Sequence, residues 1–139
     1  MSQTLTLAIL KPDAFGSGKT GKILAHLEER GFRPVAARVL RLRREQAEAF
    51  YAVHRERPFF PSLVAFMTSG PCMPVVLERA DAVAALRESI GATDPAEAAP
   101  GTVRALFAES KERNAIHASD SPETAGAEIA FFFAGADLL

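Results

Sequence analysis

Apolar residues recur along this chain with two different periods, and the switches between them divide it into elements. From Thr4 to Leu10, Leu5, Leu7 and Ile9 alternate with Thr6 and Ala8, which predicts a strand. Lys11-Pro12-Asp13 ends it abruptly, and Gly16, Gly18 and Gly21 make the next residues loop-like. Ile23, Leu24 and Leu27 follow helical spacing, with Thr20 as cap and Gly31 as stop. Val35, Ala37 and Val39 alternate in a second strand from Pro34 to Leu42. Ala47, Phe50, Tyr51 and His54 lie at helical spacing on a polar helix from Glu45 to Arg55, broken by Pro58. Pro61 opens another helix, through Leu63, Val64, Phe66 and Met67, that Gly70 closes. Cys72 to Glu78, rich in Val and Leu, is a third strand. Asp81 starts a helix carrying Val83, Leu86 and Ile90, and Gly91 ends it. Residues 92 to 102 are mostly small residues with Pro95, Pro100 and Gly101, an excursion of a length that is usually functional or disordered. A short helical turn spans Thr102 to Phe107, and a strand runs into His117. Ser121 then caps a final helix with Pro122 as its first residue and Ala125, Ile129 and Phe132 or Phe133 facing inward.

The order is strand, helix, strand, two helices, strand, helix, loop, strand, helix. About four strands interleaved with helices predict a small two-layer α/β sandwich. One face of so small a sheet would carry the helices, and the other would be left for a partner or second subunit. A length of 139 residues suffices for one domain with a real core, taken here as 1–139 with a short tail at 134–139.

Composition narrows the partners. The chain is 48% hydrophobic and 24% charged with net charge -1, which favours neither a nucleic-acid nor a membrane partner. Cys72 is the one cysteine, so no internal disulfide can form, and a cytoplasmic setting is expected. No basic segment precedes a long apolar run at the N-terminus, and no apolar run approaches the ~20 residues of a membrane span.

His117 is the residue with chemical promise. It falls where a strand stops and a loop begins, so its ring can face a cleft. A structural histidine at a strand end is the plainer alternative. A neutral imidazole is a nucleophile at neutral pH provided that its second nitrogen is held by an acceptor. Glu128, on the helix that follows, can return toward it. Lys11, Arg87 and Arg104 stand at element ends or beside loops, where cations can hold a phosphoryl group or simply be solvated. No His and acidic residues show zinc spacing. Cys72 reads as a small core hydrophobe, His26 as a surface or edge residue, and His54 as packing.

The run Asn114-Ala115-Ile116-His117-Ala118-Ser119-Asp120 resembles the active-site signature Asn-x-x-His-Gly-Ser-Asp of nucleoside diphosphate kinases. The resemblance continues, in the family's order, through Lys11-Pro12-Asp13, Tyr51-Ala52-Val53-His54, Pro58-Phe59-Phe60, Phe66 to Pro71, Gly91-Ala92-Thr93, Pro100 to Arg104 and Glu128 to Phe132. It implies a ferredoxin-like α+β fold, a four-stranded antiparallel sheet with helices packed on it. It implies transfer of the terminal phosphate of a nucleoside triphosphate, typically ATP, to a nucleoside diphosphate in a ping-pong reaction through phospho-His117. In the roles it assigns, His117 is the nucleophile on Nδ1, Glu128 orients its other nitrogen, and Ser119 supports them. Lys11, Arg87, Thr93 and Arg104 grip phosphate, Asn114 bonds the ribose, and Phe59 stacks on the base. Tyr51 lies beside the phosphoryl path. Mg²⁺ rides on the nucleotide phosphates rather than in a protein cage. A homo-oligomer, a tetramer or hexamer built from dimers, is implied as well.

The chain departs from the family at several places. Ala118 stands where the signature has Gly, which would be strained at positive φ and harmless at negative φ. Ala14 replaces a Gly, and Lys111 an aliphatic residue that covers the base. Ser17 and Leu106 replace a usual Arg and Asp, and their joint loss suggests two positions that face each other, with Leu106 at least partly covered. Two other classes remain in view: a nucleotide-binding module without chemistry, against which the joint retention of Lys11, Arg87, Arg104, Asn114, His117 and Glu128 argues, and a ferredoxin-like nucleic-acid binder, which the net charge disfavours.

Overall fold

In the computed structural model, which describes residues 3–138, the sheet order is β2-β3-β1-β4 and every pairing is antiparallel. The strands are β1 (Gln3–Leu10), β2 (Arg33–Ala37), β3 (Met73–Ala80) and β4 (Ile116–Ala118). Between them run α1 (Pro12–Gly16), α2 (Thr20–Glu29), α3 (Arg44–Phe50), α4 (Phe60–Met67), α5 (Ala82–Ile90) and α6 (Val103–Phe107), and α7 (Pro122–Phe132) follows β4. The crossover from β1 through α2 to β2 skips one position, which β3 fills, and the crossover from β3 through α5 to β4 skips the position of β1. This is the ferredoxin-like α+β arrangement implied above.

One expectation about the layers is overturned. Both faces of the sheet are covered by the chain's own helices. Ala8 and Leu10 of β1 pack with Ile23 and Leu27 of α2, Leu86 and Ile90 of α5, and Val103 of α6. Leu7 and Ile9 point the other way, toward Ala47 of α3, Val64 and Met67 of α4, and Ile129 and Phe132 of α7. Residues 7–10 are therefore all at 0% exposure. A strand buried on both faces reads as a continuous apolar run, and Ala8 is too small to announce it. Each Leu or Ile so buried contributes roughly 1.5–3 kcal/mol, which makes β1 the best-anchored part of the molecule.

Other boundaries differ for local reasons. The residues after Lys11 form α1 rather than a loop, because Pro12 at the first helical position has its φ already set and the N–H groups of Ala14 and Phe15 both reach the Lys11 carbonyl. Thr20 begins α2 but does not cap it; Lys19 holds the capping position. The second strand stops at Ala37, with Leu40 joined to Cys72 only as an isolated bridge. The polar helix ends at Phe50 and tightens into a 3-10 turn at Ala52–His54. Ser121 and Pro122 start α7 as expected, the Ser121 hydroxyl accepting from the Thr124 N–H at 3.1 Å. The expected tail is a 3-10 turn, Gly135–Leu138, whose Leu138 packs on the α7 side of the sheet; Leu139 lies outside the described residues. His26 is half-buried, edge-on to Phe107, which is the edge position expected as one of its two alternatives.

The departures from the family resolve in part. Ala118 is extended within β4, so the methyl group is harmless there. Leu106 is 54% exposed, so its own chain covers it only in part, while Ser17 closes α1 by donating its hydroxyl to the Asp13 carbonyl at 2.6 Å. The excursion at 92–102 is a chain of linked turns, tied to the end of α2 by a 2.7 Å bond from the Arg30 guanidinium to the Gly101 carbonyl.

Gly91, which ends α5, has φ 87 and ψ -177, a conformation essentially reserved for glycine. A Cβ there would meet the Thr102 hydroxyl at 2.5 Å. Gly91→Ala is therefore expected to cost on the order of 1–3 kcal/mol, measured as a fall in the denaturation midpoint at an unchanged m-value.

Candidate active site

The site hangs from the carboxyl end of β1. Ile9 is paired with His117, and cross-strand partners share a face, so the His117 ring emerges on the side of α3 and α7. There it lies edge-on to Phe50 at 5.4 Å and to Tyr51 at 6.1 Å between ring centroids. β4 borders only β1, so nothing in the sheet flanks its other edge.

The chain enters β4 through a strained residue. Ala115 is fully buried with φ 74, and the Ile116 N–H bonds back to the Asn114 carbonyl at 2.9 Å. A two-residue bond closed over a positive-φ centre is a rare kind of γ-turn, and such a conformation costs on the order of 1–3 kcal/mol outside glycine. Two contacts hold it. The Lys11 N–H donates to the Ala115 carbonyl at 2.9 Å, and the Ala115 N–H donates to Oδ2 of Asp13 at 3.0 Å. The strain considered for Ala118 thus sits at Ala115 instead.

His117 and Glu128 meet as expected. Nε2 of His117 lies 2.8 Å from Oε1 of Glu128, and the Ser119 hydroxyl donates to the same oxygen at 2.6 Å. An ionised carboxylate only accepts, so the proton belongs on Nε2 and the Nδ1 lone pair is free. An imidazole held this way can attack an electrophile from Nδ1 without a separate base.

The cations gather around the turn that precedes it. Lys11 is buried and donates from Nζ to Oδ1 of Asn114 at 2.8 Å. Burial, and next the Arg104 guanidinium, lower its pKa to about 8, while Asp13 and Glu112 pull it back up. Arg104 reaches the Gly91 carbonyl at 3.1 Å and the Ile116 carbonyl at 2.7 Å, and its Nε is buried without a partner among the described residues. Burial, and then Arg87, lower the Arg104 pKa to about 10. Arg87 itself is exposed in the last turn of α5. Cations brought together against their mutual repulsion suit an anion carrying several charges. Asn114 also donates to the Thr93 carbonyl at 3.3 Å, so Thr93 joins the cluster through its backbone and leaves its side chain exposed.

Phe59 and Tyr51 stand apart from that cluster in different ways. Phe59, at the start of α4, is 46% exposed and packs its ring on His54 at 5.3 Å, an open aromatic face on the rim. The Tyr51 hydroxyl is buried without a partner among the described residues, and burial raises its pKa. Two contributors went unread in the sequence. Phe50 is the ring nearest His117, and Asp13 holds the turn before it. The signal for Asp13 lay in the Lys11-Pro12-Asp13 run; Phe50 had only its helical spacing.

Comparison with known proteins places this geometry in context. The family model for nucleoside diphosphate kinase matches residues 4–138. The nucleoside diphosphate kinase of Halorhodospira halophila is 60% identical over 133 residues, covering 96% of this chain and 94% of that one. That of Acidiphilium cryptum is 55% identical over 139 residues, covering 100% and 99%. Among solved structures, an orthorhombic crystal form of the Aquifex aeolicus nucleoside diphosphate kinase superposes with TM-score 0.96 at 50% identity, covering 99% of this chain and all of that one. A halophilic nucleoside diphosphate kinase from Halobacterium salinarum, solved in complex with CDP, gives TM-score 0.94 at 38% identity, covering 99% and 92%.

The lowered Lys11 pKa has a stability consequence. The unfolded chain keeps that proton to about 10.5 and the folded chain releases it near 8. Between those values the unfolded state binds more protons, so raising pH favours folding; below 8 the full cost of the buried charge is present. Lys11→Met is expected to be more stable than the parent at pH 7, by about 1 kcal/mol or more. The gap should narrow as pH rises toward 10.5, in denaturation curves recorded across that range.

Proposed function

The chain belongs to the nucleoside diphosphate kinase family and transfers the terminal phosphate of a nucleoside triphosphate to a nucleoside diphosphate; we propose that the phosphate travels on Nδ1 of His117. The observation that carries this is the 2.8 Å contact between Nε2 and Glu128, which leaves Nδ1 free. In the first half-reaction the Nδ1 lone pair forms a bond to the terminal phosphorus as the bridging P–O bond breaks, and the nucleoside diphosphate leaves with that oxygen. In the second, a terminal oxygen of the acceptor diphosphate attacks the same phosphorus and the N–P bond breaks. The Nε2 proton stays in place throughout, and Glu128, held by Ser119, offsets the charge that grows on the ring.

Lys11, Arg87 and Arg104 hold the charge spread over the transferring group. Thr93 adds a polar contact to the phosphates, and Asn114, fixed by Lys11, is set to meet the ribose. Tyr51 packs beside the phosphoryl path. Phe59 stacks on the base, and since every base has a π-face, stacking accepts purines and pyrimidines alike. Among the described residues no cluster of His, Cys, Asp and Glu could hold a metal ion, which suits Mg²⁺ carried on the nucleotide phosphates, where it would neutralise part of their charge. The CDP bound by the Halobacterium salinarum relative agrees with a nucleotide as ligand. Among the described residues no helix is long and apolar enough to cross a membrane. With Cys72 free and buried, we read the protein as cytoplasmic.

We also propose a homo-oligomer, a tetramer or hexamer built from dimers. With both sheet faces already covered, its support is the unpaired edge of β2 and the exposed Val39, Leu106 and Phe131. Light scattering at micromolar concentration is expected to give a multiple of the monomer mass, and a monomer mass sinks the proposal.

Two substitutions test the chemistry. With Mg²⁺ and ATP, the parent protein should gain one phosphoryl by intact mass and lose it on addition of GDP. His117→Ala is expected to abolish the gain while nucleotide binding persists. Glu128→Ala should slow transfer by roughly 10–100-fold without abolishing it, since an orienting group tunes the nucleophile but forms no bond. Phosphoryl transfer near the parent rate in His117→Ala would falsify the mechanism.

A further inference from the structure

Asp13 is buried at the first turn of α1, and the roles given to the other residues leave it unused. Its Oδ2 accepts the Ala115 N–H at 3.0 Å, while Oδ1 is buried with no partner among the described residues. Burial raises its carboxyl pKa, as expected for an oxygen pair taken out of water with one member unsatisfied. A group so costly to bury, beside a backbone turn so costly to hold, has to be explained together with that turn.

Asn114, Ala115 and His117 are linked through the turn. The first residue of the turn, Asn114, is bonded to Lys11 at 2.8 Å, and the residue two beyond its centre is His117. The turn is over-determined by its own closing bond, by the Lys11 N–H and by Asp13, which is the one side chain of the set. Removing that carboxylate leaves a buried N–H without an acceptor and lets Ala115 relax toward negative φ. Relaxation there rotates Asn114 and His117 relative to each other, and misplacements of about 1 Å cost large factors in rate.

We infer that Asp13 is a positioning residue for the phosphoryl transfer: its carboxylate holds the strained turn that sets Asn114 and His117, and its negative charge keeps the Lys11 ammonium company in the dry site. The inference rests on the reading of His117 as nucleophile and Lys11 as phosphate cation. The charges facing Lys11 are Asp13 from α1, Arg104 from α6 and Glu112 from the loop before β4. Of the two acids, Asp13 raises the Lys11 pKa more, so its loss lets Arg104 and burial pull Lys11 further down. Charged Lys11 is the form expected to bind phosphate, so kcat/KM for phosphorylation by Mg²⁺-ATP is expected to fall above about pH 8 in the parent. Without the Asp13 charge that decline begins at lower pH.

The test measures single-turnover phosphorylation of His117 by intact mass and peptide mapping, from pH 6 to pH 10, for the parent, Asp13→Asn, Asp13→Ala and Asp13→Ala with Ala115→Gly. Asp13→Ala is expected to be slower by roughly 10–100-fold at pH 7, with kcat falling more than KM rises. Asp13→Asn, whose amide oxygen can still accept the Ala115 N–H, should recover most of that rate at pH 7 yet lose activity at lower pH than the parent. The double variant should regain part of the rate, because glycine adopts the positive φ at no steric cost. A purely structural aspartate would change the melting temperature and leave the alkaline decline where it was. If Asp13→Ala does not fold, Asp13→Asn alone decides: an unshifted decline overturns the inference. A parent protein charged at a residue other than His117 fails the underlying reading and takes the inference with it. A parent charged on His117, with variants that match it in rate and pH profile, overturns the inference alone.

Discussion

Keeping Lys11 protonated in a site largely closed to water is the constraint that shapes this end of the molecule. Burial and the nearby Arg104 both work against the charge, bringing its pKa down to about 8. The chain offsets this with Asp13 and Glu112 and with the Asn114 amide oxygen at 2.8 Å. Those partners come from α1 and from the segment before β4, so they meet only when the ends of β1 and β4 are brought side by side. The three-residue ladder between these strands does that. A residual excess of positive charge remains, and in the proposed mechanism the phosphates of the nucleotide meet it.

Strain has the same address. The positive-φ alanine lies at residue 115, inside the ring of contacts made by Lys11 and Asp13, and not at residue 118, where the sequence departs from the family signature. Backbone conformations of this cost persist only where neighbours over-determine them. Here those neighbours are the groups that also hold the charge, so electrostatics and backbone geometry at the site are one arrangement. Gly91 contributes from the opposite side: its glycine-only conformation lets Thr102 approach closely and presents its carbonyl to Arg104.

The rest of the fold makes this arrangement rigid. β1 is buried on both faces and bonded on both edges, so the residues it delivers at its end have little freedom. The His117 side of β4 faces the aromatic group of Phe50 and Tyr51, with α7 bringing Glu128 across at 2.8 Å. Phe59 sits on the less constrained rim, half exposed, as suits the stacking face proposed for it.

Much was written in the order of residues. The alternation in β1, the Ser121-Pro122 start of α7 and the Gly91 stop of α5 are local signals, and each marks its element correctly because caps and periods are decided within a few residues. The pairing of His117 with Glu128 was legible too, since a strand followed by a helix returns the helix over that strand. Other features needed the tertiary structure. Ala8 gave no sign that its side of β1 was covered, because small residues carry little apolar signal and α2 and α5 arrive from distant sequence. Nothing local distinguishes an alanine at φ 74 from one in a strand; the contacts that force it come from Lys11 and Asp13, about a hundred residues earlier. Likewise the depressed Lys11 pKa is a property of burial and of Arg104, which no reading of its neighbours in sequence contains. Sequence by itself determined most of the elements, the family and the candidate reactive groups; the three-dimensional fold alone decided their strain, their desolvation and the free nitrogen of His117, because those depend on which distant residues share a buried space.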